Sequence, residues 1–363
     1  MQEKLMEIGT AFRLPGTFSA WEELKVGNIN KTYKVTYARE NGLEKAYIFQ
    51  RVNTFVFKNP EQVMENIERV TQHLREWRPG RVTLHYHHTR DGKNFVWDGD
   101  HIWRVFNFIP SATFTESRDE TLVRNAGYAF GEFQDALSSF DAALLHETIP
   151  DFHHTLKRYQ ALEKAVAENP VGRVQEVQDE LKWLMQAKDE ACLLCDLMEK
   201  GELPLRVTHN DTKVNNVLFD KKDKRALVVI DLDTVMPGLA ANDFGDAVRS
   251  IVNTAAEDET DLEKVSCDLH LFRCFAEGFL EPTAKSFTQK EMDTFGISCF
   301  ALTVELAVRF LTDYLQGDPY FYCAYPGHNL VRTRCQIALA RDMQRKMDEM
   351  NRIIADCAAA YRK

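Results

Sequence analysis

One stretch in the second half of the chain constrains the fold more than any other. It opens with the pattern His-x-Asp-x-x-x-x-Asn, formed by His209, Asp211 and Asn216. Two short apolar runs follow, separated by a turn rich in Lys and Asp, and Asp231 closes the second run. This alternation predicts a β-hairpin. The predicted strands are Val217–Phe219 and Ala226–Ile230. Because a hairpin returns the chain beside its start, we expect Asp231 to lie close to Asn216.

The residue types in this stretch suit the transfer of a phosphoryl group. Such a transfer needs a carboxylate beside the attacking hydroxyl, a role that Asp211 can fill. It also needs oxygen ligands for a Mg²⁺ ion that bridges the phosphates, and Asn216 and Asp231 offer such oxygens. A His-x-Asp pattern alone is common in loops, but the whole set, including the Asp that closes the hairpin, is much rarer. The stretch therefore predicts the catalytic loop of a kinase.

Composition sets limits on the remaining properties. The chain has 363 residues, which is typical of two domains or lobes. Its formal net charge of −10 disfavours nucleic acids and anionic membranes as partners. The first residues lack an apolar signal core, and we expect no apolar run of membrane-spanning length. These properties predict a cytoplasmic protein, which we expect to be a monomer.

The N-terminal part of the chain predicts a small lobe rich in strands. Residues 1–20 have the pattern of a short helix followed by a loop. The alternation of aromatic and polar residues over 33–37 predicts a strand. Asn59 and Pro60 have the sequence of an N-cap and a first helical residue, and an amphipathic pattern continues to about Trp77.

The C-terminal part predicts mainly helices. The pattern over 119–140 is that of an amphipathic helix in which Gly127 and Gly131 allow close packing against another element. A second helix is predicted over the whole of 174–200. The histidines at 153–154 precede a helix. Either could touch the substrate, but histidines near the start of a helix are more often at the surface, and we expect them there.

An Ile-Pro-Ser sequence that begins at Ile109 breaks the strand pattern and marks the expected hinge between two lobes. The predicted lobes are residues 1–109, which would bind the nucleotide, and residues 110–363, which would hold the catalytic and substrate-binding residues. The expected fold class is α+β.

Several segments together resemble the aminoglycoside phosphotransferase and choline kinase superfamily, and within it the N-acetylhexosamine 1-kinases. These segments are Tyr47–Asn53, Leu205–Lys213, Ile230–Gly238, Arg309–Asp318 and Tyr325–Arg334. The resemblance covers nearly the whole chain. It implies a protein-kinase-like bilobal fold with a small antiparallel-sheet N-lobe and a larger, mostly helical C-lobe. It also implies an enzyme that uses ATP and Mg²⁺ to phosphorylate the anomeric (C1) hydroxyl of GlcNAc or GalNAc.

The resemblance carries roles over to individual positions of this chain. Asp211 matches the catalytic Asp, which also addresses the substrate, and Asn216 and Asp231 match the metal ligands. Arg309 matches an Arg that faces the sugar, and Tyr320 is expected to line the same pocket.

The nucleotide contacts are expected in the N-terminal lobe and at the hinge. They are assigned to Asn28, Asn30, Thr32, Gln50 and Phe108.

Two departures from wider kinase patterns stand out. The Lys that grips the phosphates from the third strand is absent, and Gln50 or Arg51 stands in its place. This puts the phosphate contacts in question rather than the activity. Ser250 follows Arg249 where an aromatic residue is expected in relatives, which bears on how the sugar ring packs and on which sugar is preferred.

Three alternatives stay open at this stage. The chain could phosphorylate a different small molecule, such as an aminoglycoside, choline, homoserine or a ribose derivative. A cationic substrate would require a cluster of carboxylates, and Arg309 argues against one. The chain could instead be a non-catalytic nucleotide-binding module, against which the complete set of Asp211, Asn216 and Asp231 argues. It could also be a scaffolding module without a nucleotide.

Overall fold

Two units with separate cores make up the chain in the computed structural model, which describes residues 1–25, 29–114 and 118–362. The first unit comprises Met1–Ala112, Ala143–Pro150 and Ile230–Met236. The second comprises Thr113–Ala142, Asp151–Val229 and Pro237–Lys363. The first unit thus includes two segments that follow the hinge predicted after residue 109, so its residues are not contiguous along the chain.

A five-stranded antiparallel sheet forms the centre of the first unit, in the order β1-β2-β3-β5-β4. Its strands are β1 (Thr17–Leu24), β2 (Lys31–Ala38), β3 (Glu44–Val52), β4 (Val96–Asp98) and β5 (His101–Asn107). Two helices accompany the sheet, α1 (Gln2–Ala11) and α2 (Pro60–Trp77). The N-cap of α2 is Asn59, as predicted, but its side chain makes no capping hydrogen bond.

The first half of β1, residues 17–20, was predicted as a loop, and that prediction was wrong. The strand lies at the edge of the sheet and contains a register shift between Phe18 and Ala20. The half-buried side chains are Phe18, Trp21 and Leu24, so they recur every third residue rather than every second. A register shift of this kind interrupts the alternation by which a strand is recognised in sequence.

The two faces of this sheet carry different residues. One face packs aromatic and β-branched side chains such as Tyr33, Phe49 and Trp103 against Leu5 and Ile8 of α1. Because side chains alternate along a strand, the neighbouring positions point to the other face. That second face carries polar residues, which are described below with the candidate site.

The second unit is mainly helical. Its helices are α3 (Glu120–Ala136), α4 (Thr155–Glu168), α5 (Gln178–Ala191), α6 (Leu193–Glu199), α7 (Ala240–Val252), α8 (Leu269–Thr283), α9 (Gln289–Asp293), α10 (Phe295–Gln316) and α11 (His328–Tyr361). Its strands are β6 (Arg206–Thr208), β7 (Val217–Phe219) and β8 (Ala226–Val229), and the last two residues of β9 (Met236–Gly238) also belong to it. The predicted helix over 174–200 is interrupted at Cys192, a break that no Pro or Gly marks in the sequence.

Close contact between α3 and α8 confirms the packing predicted for the α3 glycines. A Cβ atom at Gly127 would lie 2.3 Å from the carbonyl oxygen of Phe275, and one at Gly131 would lie 2.3 Å from that of Phe279. On the facing helix, a Cβ atom at Gly278 would lie 2.0 Å from the carbonyl oxygen of Arg124. Only glycine permits such an approach of two helix backbones.

Helix α10 is the centre of the second unit. Within the described part of the chain it is the one helix long and apolar enough to cross a membrane by length and composition, so the expectation of no such run was wrong. Its most apolar window is 78% buried inside the protein, as the central helix of a globular core would be. Its apolar side chains pack against α4 and α5 around Val304, Val308 and Leu311.

Candidate active site

The predicted catalytic loop follows β6 and is held by a buried carboxylate of α7. The Asp243 Oδ2 atom accepts a hydrogen bond from the backbone N–H of His209 at 2.8 Å, and its Oδ1 atom accepts one from that of Asn210 at 2.7 Å. The side chain of Gln134 on α3 donates to Oδ2 at 2.6 Å. Burial raises the pKa of Asp243, although His209 and these N–H donors favour its charged form. Asp243 thereby fixes the backbone just before Asp211.

A second carboxylate of the same helix holds the other side of the loop. The Asp246 Oδ2 atom accepts a hydrogen bond from the backbone N–H of Thr212 at 2.9 Å, and its Oδ1 atom accepts one from Arg249 at 2.9 Å. Burial opposes the charge of Asp246, but Arg249, His153 and Lys213 outweigh it and lower its pKa to about 2. The sequence offered a signal for both residues, since acidic side chains three apart in an apolar helix require buried partners.

Asp211 lies between two donors of its own loop. The Asn216 amide donates to the Asp211 Oδ2 atom at 3.0 Å and to its carbonyl oxygen at 2.8 Å. The Lys213 ammonium lies 2.7 Å from the Oδ1 atom. The preceding residue, Asn210, has φ 65°, a left-handed conformation that is uncommon for a residue other than glycine. The loop thus holds the carboxylate in one orientation.

The hairpin predicted after the loop is confirmed. Strands β7 and β8 pair antiparallel, with Val217 opposite Val229. Asp231 follows with φ 61°, again a left-handed conformation. Asn216 belongs to the second unit and Asp231 to the first, so their convergence on one cation stays a prediction.

The donor types of these two residues fit Mg²⁺. The Asn216 NH₂ group is directed to Asp211, which leaves the Oδ1 atom as the one that can bind a cation. Asp231 offers carboxylate oxygens. Hard oxygen donors of this kind are the ligands that Mg²⁺ prefers.

Two of the residues predicted to contact the nucleotide, Thr32 and Gln50, belong to a polar row on the second face of the first unit's sheet. Thr32, Gln50 and Arg104 lie opposite one another on β2, β3 and β5. Gln50 donates to the Thr32 hydroxyl at 3.1 Å and accepts two hydrogen bonds from Arg104, at 2.9 and 2.6 Å. Asn28 and the expected glycine turn at Gly27 lie outside the described residues.

Arg104 connects this row to the segment that contains Asp231. Its side chain is 1% exposed and forms an ion pair with Asp233, which is 3% exposed. The other oxygen of Asp233 accepts a hydrogen bond from the Asn30 amide at 2.6 Å. Asn30 therefore stabilises the 230–236 segment in addition to its predicted nucleotide contact. Arg104 was not predicted as a functional residue, because a single Arg in an apolar strand gives no spacing signal.

Phe108, the remaining predicted nucleotide contact, follows β5. Its ring lies 4.9 Å from the Lys34 ammonium, and its backbone N–H donates to Ala46 at 3.3 Å. It makes its described contacts with strands β2 and β3 rather than with the polar row.

One face of α10 carries Arg309, which was predicted to bind the substrate. Glu305, Arg309 and Asp313 are spaced four residues apart and so point to the same side of the helix. The Arg309 guanidinium lies 5.5 Å from the centre of the Phe321 ring. Tyr320 is 74% exposed, and its ring meets that of Phe321 edge-on at 4.8 Å. Arg309 and Tyr320 thus both contact the Phe321 ring.

Asp313 holds the loop that carries these aromatic residues. Its carboxylate accepts hydrogen bonds from the backbone N–H groups of Tyr320 and Phe321, both at 2.9 Å. It also accepts one from Asn329 at 2.8 Å. The aromatic loop is therefore attached to the same helix face as Arg309.

The prediction that His153 lies at the surface was wrong. Its side chain is 8% exposed and lies 3.1 Å from Glu305 and 3.1 Å from the carbonyl oxygen of Asn210. No local sequence pattern marks this burial, since both partners are distant along the chain.

The sequence of residues 20–265 matches the family described as the phosphotransferase enzyme family, or APH. The chain belongs to this family. The matched range includes the catalytic loop, both α7 carboxylates and the polar row, whereas Arg309 and Tyr320 lie beyond it.

Solved structures share the fold of this family member at low sequence identity. An aminoglycoside phosphotransferase from Alicyclobacillus acidocaldarius is 14% identical, with a TM-score of 0.64 and coverage of 96% of each chain. A microcompartment-associated aminopropanol kinase is 14% identical, with a TM-score of 0.63 over 97% of this chain and 99% of its own. Amicoumacin kinase hAmiN, solved with AMP-PNP, Ca²⁺ and Ami, is 15% identical, with a TM-score of 0.60 over 93% of each chain. These matches confirm the predicted α+β, kinase-like fold.

The buried ion pair in the first unit leads to a stability prediction. In Arg104→Met, the Asp233 carboxylate stays buried without its cation. Removing one partner of a buried pair typically costs about 3–5 kcal/mol, and we expect a loss of that order in the free energy of unfolding, measured in urea. The double variant Arg104→Met/Asp233→Asn should recover part of the loss. A single variant within about 1 kcal/mol of wild type would contradict the assigned role of the pair.

Proposed function

We propose that this chain transfers the γ-phosphoryl group of ATP to the anomeric hydroxyl of an N-acetylhexosamine. The observation that carries the phosphotransfer is the geometry of the catalytic loop. Asp211 and Asn216 are joined by a hydrogen bond, and the loop is fixed from both sides by Asp243 and Asp246. Family membership supports the reaction class, and the resemblance of the 309–334 region supports the sugar.

Asp211 acts on the acceptor hydroxyl. One of its oxygens accepts a hydrogen bond from that hydroxyl and orients it for in-line attack. The Lys213 ammonium, 2.7 Å from the Asp211 carboxylate, offsets negative charge that develops during the transfer. Asp211 accepts the proton late, when the oxygen–phosphorus bond is largely formed. Most of the rate enhancement comes from positioning and electrostatics.

Asn216 and Asp231 hold Mg²⁺ in this proposal. When bound, the ion neutralises charge on the β- and γ-phosphates. The chain's own contribution is to aim the Asn216 carbonyl oxygen by engaging its NH₂ group with Asp211. A left-handed backbone at Asp231 sets the direction of the second ligand.

The nucleotide is held by the first unit, with Asn28, Asn30, Thr32, Gln50 and Phe108 as the proposed contacts. Gln50 or Arg51 stands where wider kinase patterns have a lysine, and Gln50 accepts hydrogen bonds from Arg104. Arg104 thus supplies a cation next to the position from which the lysine is missing.

The sugar is held by the α10 face in this proposal. Arg309 offers a planar fork of donors for hydroxyl groups or an amide carbonyl, and Tyr320 offers an exposed ring for stacking. The carboxylates of this region already have cationic or N–H partners. The pairs are Asp246 with Arg249, Glu257 with Arg249 and Arg332, Glu305 with His153, and Asp313 with the backbone N–H groups of residues 320–321. A neutral polyol fits such a site better than a polycation does.

A second candidate is a kinase of amino alcohols or aminoglycosides. The names of structurally similar proteins favour it, since they include an aminopropanol kinase and an aminoglycoside phosphotransferase. At 14% identity these likenesses establish the fold alone. The paired carboxylates described above argue for the sugar.

An assay of ADP release over a panel of acceptors distinguishes the two candidate functions. The purified chain is incubated with Mg-ATP and a panel of N-acetylhexosamines, other sugars, aminoglycosides and amino alcohols. We expect the highest kcat/KM for GlcNAc or GalNAc. Turnover of an amino alcohol or aminoglycoside, with none on any N-acetylhexosamine, would replace the first candidate with the second.

The proposed role of Asp211 as the catalytic base predicts how the Asp211→Asn variant behaves. This variant keeps the hydrogen-bonding shape but cannot accept the proton, so kcat should fall by roughly 10²–10⁴-fold while Mg-ATP affinity stays close to wild type. Steady-state kinetics and calorimetry measure the two quantities. Asp223→Asn, in the hairpin turn, is the matched control and should behave as wild type. A kcat above about a tenth of wild type would rule out Asp211 as the base.

The substrate role predicts that Arg309→Ala raises KM for the sugar more than KM for ATP. A hydrogen bond to a charged group is worth about 1.5–3 kcal/mol, so kcat/KM for the sugar should fall about 10- to 150-fold. Arg341→Ala is a matched control, because Arg341 also lies over an aromatic ring, that of Trp183. Equal changes in both KM values would show that Arg309 does not recognise the sugar.

A further inference from the structure

A buried histidine connects the catalytic loop to the α10 face. The His153 Nε2 atom lies 3.1 Å from the carbonyl oxygen of Asn210, the residue immediately before Asp211. Its Nδ1 atom lies 3.1 Å from the Glu305 Oε1 atom. Glu305 is one helical turn before Arg309. His153 therefore touches both the loop proposed to carry the base and the helix proposed to carry the substrate contact.

The partners of His153 define its protonation. A backbone carbonyl can only accept a hydrogen bond, and so can an ionised carboxylate. The second Glu305 oxygen accepts a hydrogen bond from the Thr155 hydroxyl at 2.9 Å, which suits an ionised Glu305. A neutral imidazole has a single N–H and can satisfy one of its two partners. Both contacts are satisfied together when both ring nitrogens of His153 carry a proton.

We propose that His153 is a positioning residue, whose doubly protonated ring ties the carbonyl of Asn210, and with it Asp211, to Glu305 on α10. The inference rests on the proposed role of Asp211 as the base. The turn that precedes His153 is itself held in place by hydrogen bonds. Arg158 donates to the carbonyl oxygens of Asp151 and Phe152, at 3.1 and 2.6 Å, and so holds the turn that presents His153.

The charges around His153 favour this state. Glu305 faces it from α10 and Asp246 from α7, while Arg158 on α4 and Arg309 on α10 act on Glu305. Burial lowers the pKa of His153, but the hydrogen bond and charge of Glu305, with Asp246, outweigh burial and raise it above the ordinary value.

The direction of this shift sets the pH dependence. When the pKa of a group is raised in the folded protein, the interactions of its protonated form are fully present at pH values below its ordinary pKa, which is about 6.5 for histidine. Its contribution is lost as the pH rises through the folded value. Deprotonation removes the Nε2 proton or the Nδ1 proton, and one of the two connections breaks. We therefore expect kcat to fall on the alkaline side as the loop loses its attachment.

Nitrogen NMR of the imidazole rings tests the protonation directly. In the full-length, ¹⁵N-labelled chain without substrate, one histidine should carry protons on both ring nitrogens at pH 7. The signal belongs to His153 if it is missing from His153→Gln and displaced in Glu305→Gln. A neutral His153 ring at pH 7 would overturn the proposal. This measurement needs no acceptor, so it distinguishes a failure of this inference from a failure of the proposed function.

Kinetics then test the positioning role. Misplacing a catalytic group by about 1 Å can cost up to about 100-fold, and we expect His153→Gln to lower kcat by at least about 10-fold with KM for ATP changed less than about 2-fold. The alkaline limb of the pH profile, which is the fall in kcat at high pH, should be absent in this variant. Glu305→Gln keeps the side-chain shape, and its alkaline limb should move to lower pH.

The neighbouring histidine provides the control. His154 is also largely shielded, but its ring lies 3.6 Å from Cys195 rather than against the catalytic loop. His154→Gln should retain the wild-type kcat and pH profile. An unchanged kcat and an unchanged alkaline limb in His153→Gln would contradict the proposal.

Discussion

The hydrogen bonds between the catalytic loop and two carboxylates of α7 are the interaction on which the candidate site depends. Asp243 and Asp246 accept from backbone N–H groups on both sides of Asp211, so the loop is fixed through its main chain. Hydrogen bonds to buried charged groups are strong, and leaving such a charge unpaired is costly. The loop can therefore keep left-handed φ at Asn210, a conformation that residues other than glycine seldom adopt.

Helix α10 plays a similar supporting part at the face that is proposed to bind the acceptor. Its buried face supplies the core of the second unit, and its polar face positions groups at successive turns. Glu305 engages His153, Arg309 lies over an aromatic ring, and Asp313 holds the loop that carries Tyr320. A rigid, central helix is a suitable support for residues that must act together with small positional error.

The sequence was sufficient where the determinants are local. Turn residues between two apolar runs predicted β7 and β8, and the glycines of α3 predicted close helix packing, because each pattern acts within a few residues. It was insufficient where a partner is distant. His153 was predicted at the surface because its partners Glu305 and Asn210 are remote in sequence. Arg104 was missed because its partner Asp233 is remote in sequence as well. The register shift in β1 obscured this strand by interrupting the alternation of its side chains.

The position of the phosphate in the product tests the central claim most directly. The product made from ATP and an N-acetylhexosamine is examined by phosphorus NMR with proton coupling. The proposed function predicts a phosphorus signal coupled to the anomeric proton, because Asp211 is proposed to act on the anomeric hydroxyl. Phosphate on C6, or on a hydroxyl of an amino alcohol or aminoglycoside in place of the sugar, would contradict it.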